Sequence, residues 1–151
     1  MGLFSFLKGA GQKLFGKAEA APVAEKEPLK AQALIDHVQS LGLPFVSLNI
    51  KTQDDTVFLG GEVNAQADSE KIALAVGNVE GVAVVDNNMT VAVPEPESRT
   101  YTVKSGDSLS KISKEMYGDM MKYEVIFEAN KPMLTDMDLI YPGQVLRIPN
   151  I

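Results

Sequence analysis

Few side chains in this sequence are of the kinds that make and break bonds. There is no Cys and a single His, His37. Thiolate nucleophiles, disulfides and cysteine metal sites are therefore excluded, and imidazole clusters are not expected. Ser105, Ser108 and Ser110 stand close together in the chain, but no His or Lys dyad accompanies them, and His37 lies far upstream in another segment. Asp119 and Glu124 are residue types suited to acid–base work; with no pocket-forming motif around them, a solvated helix face accounts for them. Neither a phosphate loop nor a dinucleotide fingerprint is present. The residues point away from an enzyme.

What remains is charge and backbone. The formal net charge is −6, unevenly spread. Residues 1–30 carry five Lys against three Glu, residues 31–99 three basic groups against ten acidic ones, and residues 100–151 six against seven. An acidic middle opposes nucleic-acid binding, which needs clustered Lys and Arg to displace counterions from phosphates. It favours a cation partner. Asp54, Asp55 and Asp86 are the side-chain candidates for a cation, but Asp54-Asp55 reads as a hairpin turn and Asp86-Asn87-Asn88 as another turn.

The elements that would position such chemistry are legible from spacing. Leu3, Phe4, Leu7, Ala10, Leu14 and Phe15 recur at helical intervals, with Lys8, Lys13 and Lys17 off that face, so residues 1–17 read as an amphipathic helix. Gly9-Ala10-Gly11 weakens it midway, at about 1 kcal/mol per Gly relative to Ala. The apolar run Gly2–Leu7 is too short for a secretory signal, and Phe6 stands where a myristoylation motif needs Ser or Thr. A cytoplasmic protein is expected, without stable insertion in a membrane and acting as a monomer. Residues 18–28, rich in Ala, Glu and Pro, read as a linker.

A helix is expected over Leu29–Leu41, ending at Gly42, with His37 as an ordinary packed residue on it. Strands follow at Phe45–Ile50 and Thr56–Val63, with Gln53-Asp54-Asp55 as the turn between them. A short helix over Asp68–Val76 stops at Gly77-Asn78. Val82–Val85 and Met89–Val93 are β-rich. Residues 94–100 read as a second linker, across which few contacts are expected. The remainder gives a strand from Tyr101, a capped helix, a helix over Met121–Ala129, and a closing strand after the Pro142-Gly143 turn.

Residues 101–151 resemble a LysM domain. The residues that carry the likeness are Tyr101-Thr102-Val103-Lys104-Ser105-Gly106-Asp107-Ser108-Leu109, Ile112-Ser113, Tyr117-Gly118, Ile126, Asn130 and Ile140 to Pro149. Residues 29–93 resemble a BON domain through Val57 with Gly60-Gly61, and through Val79, Gly81-Val82, Val85 and Asn87. The full arrangement adds Met1-Gly2-Leu3-Phe4, Ala75-Val76-Gly77-Asn78 and Phe127 to Leu134. It resembles the small cytoplasmic potassium-binding proteins of bacteria over nearly the whole chain. The resemblance implies an α+β chain of two small domains, an α/β BON-like sandwich and a β-α-α-β LysM domain. It also implies a soluble K+ binder whose ion sits at the BON domain while the LysM domain responds.

K+ is large and singly charged, and suits several neutral oxygens such as backbone carbonyls. Carboxylates suit Ca2+ and Mg2+ better. Helix C-termini leave four carbonyls without intrahelical partners. Two stretches offer them: the end of the short helix, Ala75 to Val82, and the Gly-broken segment Leu7 to Gly11. If these meet, the carbonyls of Leu7, Ala10, Gly77, Val79 and Val82 form the cage, in agreement with the family pattern. The same glycines also suit any helix-to-strand connection. Rb+ and Cs+ are expected to substitute for K+, and Na+ only weakly. Ion binding is expected to order the N-terminal segment and draw the LysM domain onto BON. Two other functions are compatible with the domain types. One is an envelope protein binding peptidoglycan or N-acetylglucosamine polymers through LysM, with a membrane-associating BON domain. The other is a lipid-surface protein using the N-terminal helix and the BON domain.

Overall fold

The computed structural model describes residues 2–6, 31–79 and 81–150. A hairpin builds the first sheet. β-rich runs at β2 (Ser47–Gln53) and β3 (Thr56–Ala65) pair antiparallel from Ser47↔Glu62 to Gln53↔Thr56. Asp54-Asp55 closes the hairpin as expected, and Asp54 takes φ 56°, a left-handed conformation that Asp tolerates. Gly60-Gly61 lies inside β3, as it does inside the expected strand Thr56–Val63. Gly61 has φ 115°, and a Cβ there would sit 2.3 Å from the Ser47 carbonyl oxygen. Only glycine lets the two backbones stay paired through that kink.

α2 (Gln66–Gly77) then carries the chain across the sheet, so that β4 (Val84–Asn87) runs parallel to β3. This is a β-α-β crossover, the connection a parallel pair requires. β5 (Thr90–Val93) continues along the far half of β3. Asp86 and Asn87, expected in a turn, belong to β4; the break falls at Asn88-Met89 instead. The buried Asn87 side chain shapes it, donating to Ser69 Oγ (2.8 Å) and accepting the Met89 N–H (3.1 Å). α1 (Ala31–Ser40) buries Leu34 and Val38 and is followed by Gly42 at φ 76°. His37 is half-buried on α1, as expected.

The N-terminus departs from its spacing. Gly2–Ser5 form a strand, β1, antiparallel to β4 with Ser5↔Val84, giving the order β1-β4-β3-β2. Helix nucleation fixes several residues before the first bond repays them. The edge of β4, in contrast, offers ready-made donors and acceptors that need partners. The rest of the predicted amphipathic helix and the first linker, residues 7–28, lie outside the described residues.

The second domain is β6 (Arg99–Thr102), α3 (Leu109–Tyr117), α4 (Tyr123–Ala129) and β7 (Val145–Ile148), with β6 and β7 antiparallel. Ser108 caps α3 by accepting the Lys111 N–H (3.2 Å), and Gly118 ends it at φ 78°. α4 begins later than expected, because the Asp119 side chain accepts the Met121 N–H (2.9 Å) and holds Met120–Lys122 in a 3-10 turn. Tyr101, Ile112, Ile126, Leu134, Leu146 and Ile148 form its core.

Residues 94–98 are irregular, and β6 takes up the last residues of the expected linker. Contacts do cross between the domains. Val145 of β7 is buried in the core of the first domain, and Met133 packs against both cores. The connection is short and α2 presents polar groups that β7 needs, so the linker spans a docked pair.

Candidate ion site at the end of α2

α2 ends in a tight, buried turn. The Asn78 N–H closes on Leu74 O (2.9 Å), the Val79 N–H on Val76 O (3.2 Å), and the Val82 N–H on Val79 O (3.2 Å). Gly81, at φ 103°, lets the chain reverse there. Asn78 is 5% exposed, and Val79 and Val82 are fully enclosed. Among the described residues, no hydrogen bond is donated to the carbonyls of Gly77 or Val82. Buried backbone carbonyls are almost always paired, and among the described residues the Gly77 and Val82 carbonyls, beside a Val79 carbonyl that keeps a second lone pair, have no donor.

The start of the chain reaches this turn. The Phe6 N–H donates to Ala83 O (2.8 Å), extending the β1–β4 ladder by one residue. The Phe6 ring lies directly over Gly77: a Cβ at residue 77 would fall 1.9 Å from Cζ and 2.1 Å and 2.3 Å from Cε1 and Cε2. Gly77 is thus required for the ring to seat, beyond stopping a helix. Of the five expected ligands, the structure brings Gly77, Val79 and Val82 together in one turn. Leu7 and Ala10 lie outside the described residues.

Among the described residues no group of three or more His, Cys, Asp or Glu side chains could hold a metal. Asp54 and Asp55 sit in the hairpin turn and Asp86 in β4. The described main-chain carbonyls at the end of α2 are neutral oxygens, a type that suits an alkali ion better than a divalent one.

Spacing alone did not single out three features. Phe6 falls off the helical stripe of the N-terminus and shows its role only once that segment is a strand. Asn78 places its whole side-chain amide on β7, with Nδ2 donating to Val145 O (2.9 Å) and Oδ1 accepting the Val145 N–H (2.9 Å). Two turns back along α2, Glu70 forms an ion pair with Arg147 Nε (2.5 Å), and its other oxygen accepts the Ser98 N–H (3.0 Å). Burial alone pushes the Glu70 carboxyl up, but the bonds from Arg147, Ser98 and Gln66 and the Arg147 charge outweigh it and hold its pKa below the ordinary value. The Tyr141 hydroxyl reaches the Asn78 carbonyl (3.4 Å). Burial pushes that phenol up to about 12, so it remains a neutral donor.

Residues 31–93 match the family model of the BON domain and residues 101–149 that of the LysM domain. The chain is 46% identical over 150 residues to Potassium binding protein Kbp of Escherichia coli O6:H1, covering 99% of each. It is 34% identical over 131 residues to an uncharacterized protein of Deinococcus radiodurans, covering 79% of this chain and 51% of that one. It also shares 37% identity over 60 residues with the uncharacterized protein YqbP of Bacillus subtilis, covering 27% of that protein. BON and LysM are binding-type domains, not families of enzymes, and no described helix is long and apolar enough to cross a membrane. On full-length similarity and domain order, the chain belongs to the family of Potassium binding protein Kbp, a BON domain followed by a LysM domain.

Proposed function

We propose that this protein is a cytoplasmic K+ binder, sensing or buffering the ion, and that main-chain carbonyls of Leu7, Ala10, Gly77, Val79 and Val82 hold it. The observation that carries the reading is the pair of buried carbonyls, Gly77 and Val82, that accept no hydrogen bond among the described residues. Seating Phe6 on Gly77 brings the start of the chain to the same turn, and the full-length relative named for potassium binding supplies the ion. Without an ion, converging carbonyl dipoles repel and stay hydrated. With K+ they converge, the N-terminal segment docks, and the LysM domain tightens on BON. Such a shift is bounded by the difference in ion affinity between the two states.

Thermal unfolding of the full chain tests this. K+, Rb+ and Cs+ should each raise Tm, and Na+ at equal ionic strength should raise it far less. Equal responses to K+ and Na+ would reduce the effect to screening and remove the proposal.

A further inference from the structure

We infer that Asn78 is the positioning residue through which ion binding and docking of the LysM domain are linked. The inference rests on the ion-site reading above. Asn78 stands between two of the proposed ligand carbonyls, Gly77 and Val79. The Gly77 carbonyl shares its planar peptide unit with the Asn78 nitrogen, so its direction is tied to the Asn78 backbone that carries the side chain.

That side chain is held from the other domain. Its amide pairs both main-chain groups of Val145 at 2.9 Å, and Nδ2 also lies 3.4 Å from Met133 Sδ. The residue's own N–H bonds Leu74 O, and its carbonyl receives Tyr141 Oη. Every polar group of Asn78 is thereby engaged.

β7 explains why this contact is needed. One edge of β7 pairs with β6. On the other edge, Arg147 is covered by an asparagine of its own domain: the Arg147 N–H donates to Asn130 Oδ1 (2.7 Å) and Asn130 Nδ2 donates to Arg147 O (3.0 Å). Val145, two residues earlier on that edge, receives the same treatment from Asn78. Two asparagine amides therefore complete one strand edge, one from each domain. Undocking exposes the Val145 groups and frees Asn78 together. Docking fixes the Asn78 side chain and with it the peptide unit that carries the Gly77 carbonyl. By linkage, anything that favours the docked state must raise ion affinity, and the reverse holds by the same factor, commonly about 5- to 150-fold.

The test uses the full chain, which has no Cys, so the exposed Lys51 and Lys114 can be changed to Cys and labelled for energy transfer between the domains. In this parent, K+ should bind by calorimetry and change the transfer efficiency. Asn78→Ala should weaken K+ binding at least fivefold and abolish the K+-dependent change, although Asn78 contributes no proposed ligand. Val145→Pro removes the strand N–H from the other side while leaving the first domain's sequence intact, and should do the same; it keeps the test decisive if Asn78→Ala fails to fold. Arg147→Gln loosens docking without touching the turn, and should retain a K+-dependent change. If either latch variant, natively folded by circular dichroism, keeps the parent's affinity and response, the coupling role is overturned while K+ binding stands. If the parent itself takes up no K+, the ion-site reading falls, and the inference with it.

Discussion

Replacing Gly77 by Ala isolates one feature of the site. Gly77 lies in helical conformation, so Ala is permitted by the backbone and in a helix is favoured by roughly 0.5–1 kcal/mol. Against that, its Cβ would meet the Phe6 ring at 1.9–2.3 Å, a separation no contact survives. The ring is 8% exposed and must leave. Exposing a buried Phe costs about 1.5–3 kcal/mol. The helical preference of Ala is the same whether or not the ring is seated, so the full cost falls on the seating equilibrium, a factor of roughly 10–150. If Leu7 and Ala10 supply ligands only when Phe6 is seated, K+ affinity should drop by that factor while far-UV circular dichroism stays native. Isothermal titration with KCl at constant ionic strength reads it. Phe6→Ala should weaken binding comparably, and the double variant should do little more than Phe6→Ala alone, because the clash is then gone. An unchanged K+ affinity in a folded Gly77→Ala protein would refute the link between ring seating and the ion.

Other consequences concern the docked domains. Glu70→Ala leaves the Arg147 guanidinium, 13% exposed, without its counter-charge, and should destabilise the protein by about 3–5 kcal/mol in chemical denaturation; Glu70→Gln, which keeps an acceptor, should cost clearly less. Asn130→Ala should cost about 1–3 kcal/mol for each backbone group of Ile126 and Arg147 left unpaired, read as a shift in denaturation midpoint. Acidification should destabilise in two stages. Burial lowers the His37 pKa below 6.5, so its contribution is complete above that pH and is lost as pH falls through the lower folded value. Glu70 is held below 4.5, so its contribution is complete above 4.5 and is lost at still lower pH. A Tm that rises as the pH falls from 6.5 toward 4.5 would contradict the His37 assignment, and one that rises as it falls below 4.5 the Glu70 assignment.

Much of this architecture was readable from residue order, for physical reasons that differ by element. The β2–β3 hairpin announces itself because the buried Val57, Leu59 and Val63 alternate with less buried positions and Asp54-Asp55 can turn. The end of α2 is visible because Gly77-Asn78 is a common helix stop. The N-terminal strand was hidden, since Leu3, Phe4 and Leu7 satisfy a helical period; only the open edge of β4, formed by residues far along the chain, decides for a strand. The latch was hidden more deeply. Asn78 and Val145 are 67 positions apart, and nothing local distinguishes an asparagine that ends a helix from one that also completes a strand in another domain. Gly77 was legible as a stop and illegible as the seat of Phe6, because that requirement arises only when β1 is docked. Glu70 and Arg147 read as two ordinary charges until α2 and β7 are laid side by side.

The central claim is that neutral main-chain oxygens hold an alkali ion where the first strand meets the end of α2. Crystals of the full chain grown in RbCl and measured at the rubidium absorption edge test it directly. The account predicts one strong anomalous peak ringed by the carbonyls of Leu7, Ala10, Gly77, Val79 and Val82. A peak on carboxylates such as Asp54, Asp55 or Asp86, or no ordered peak near α2, would contradict it.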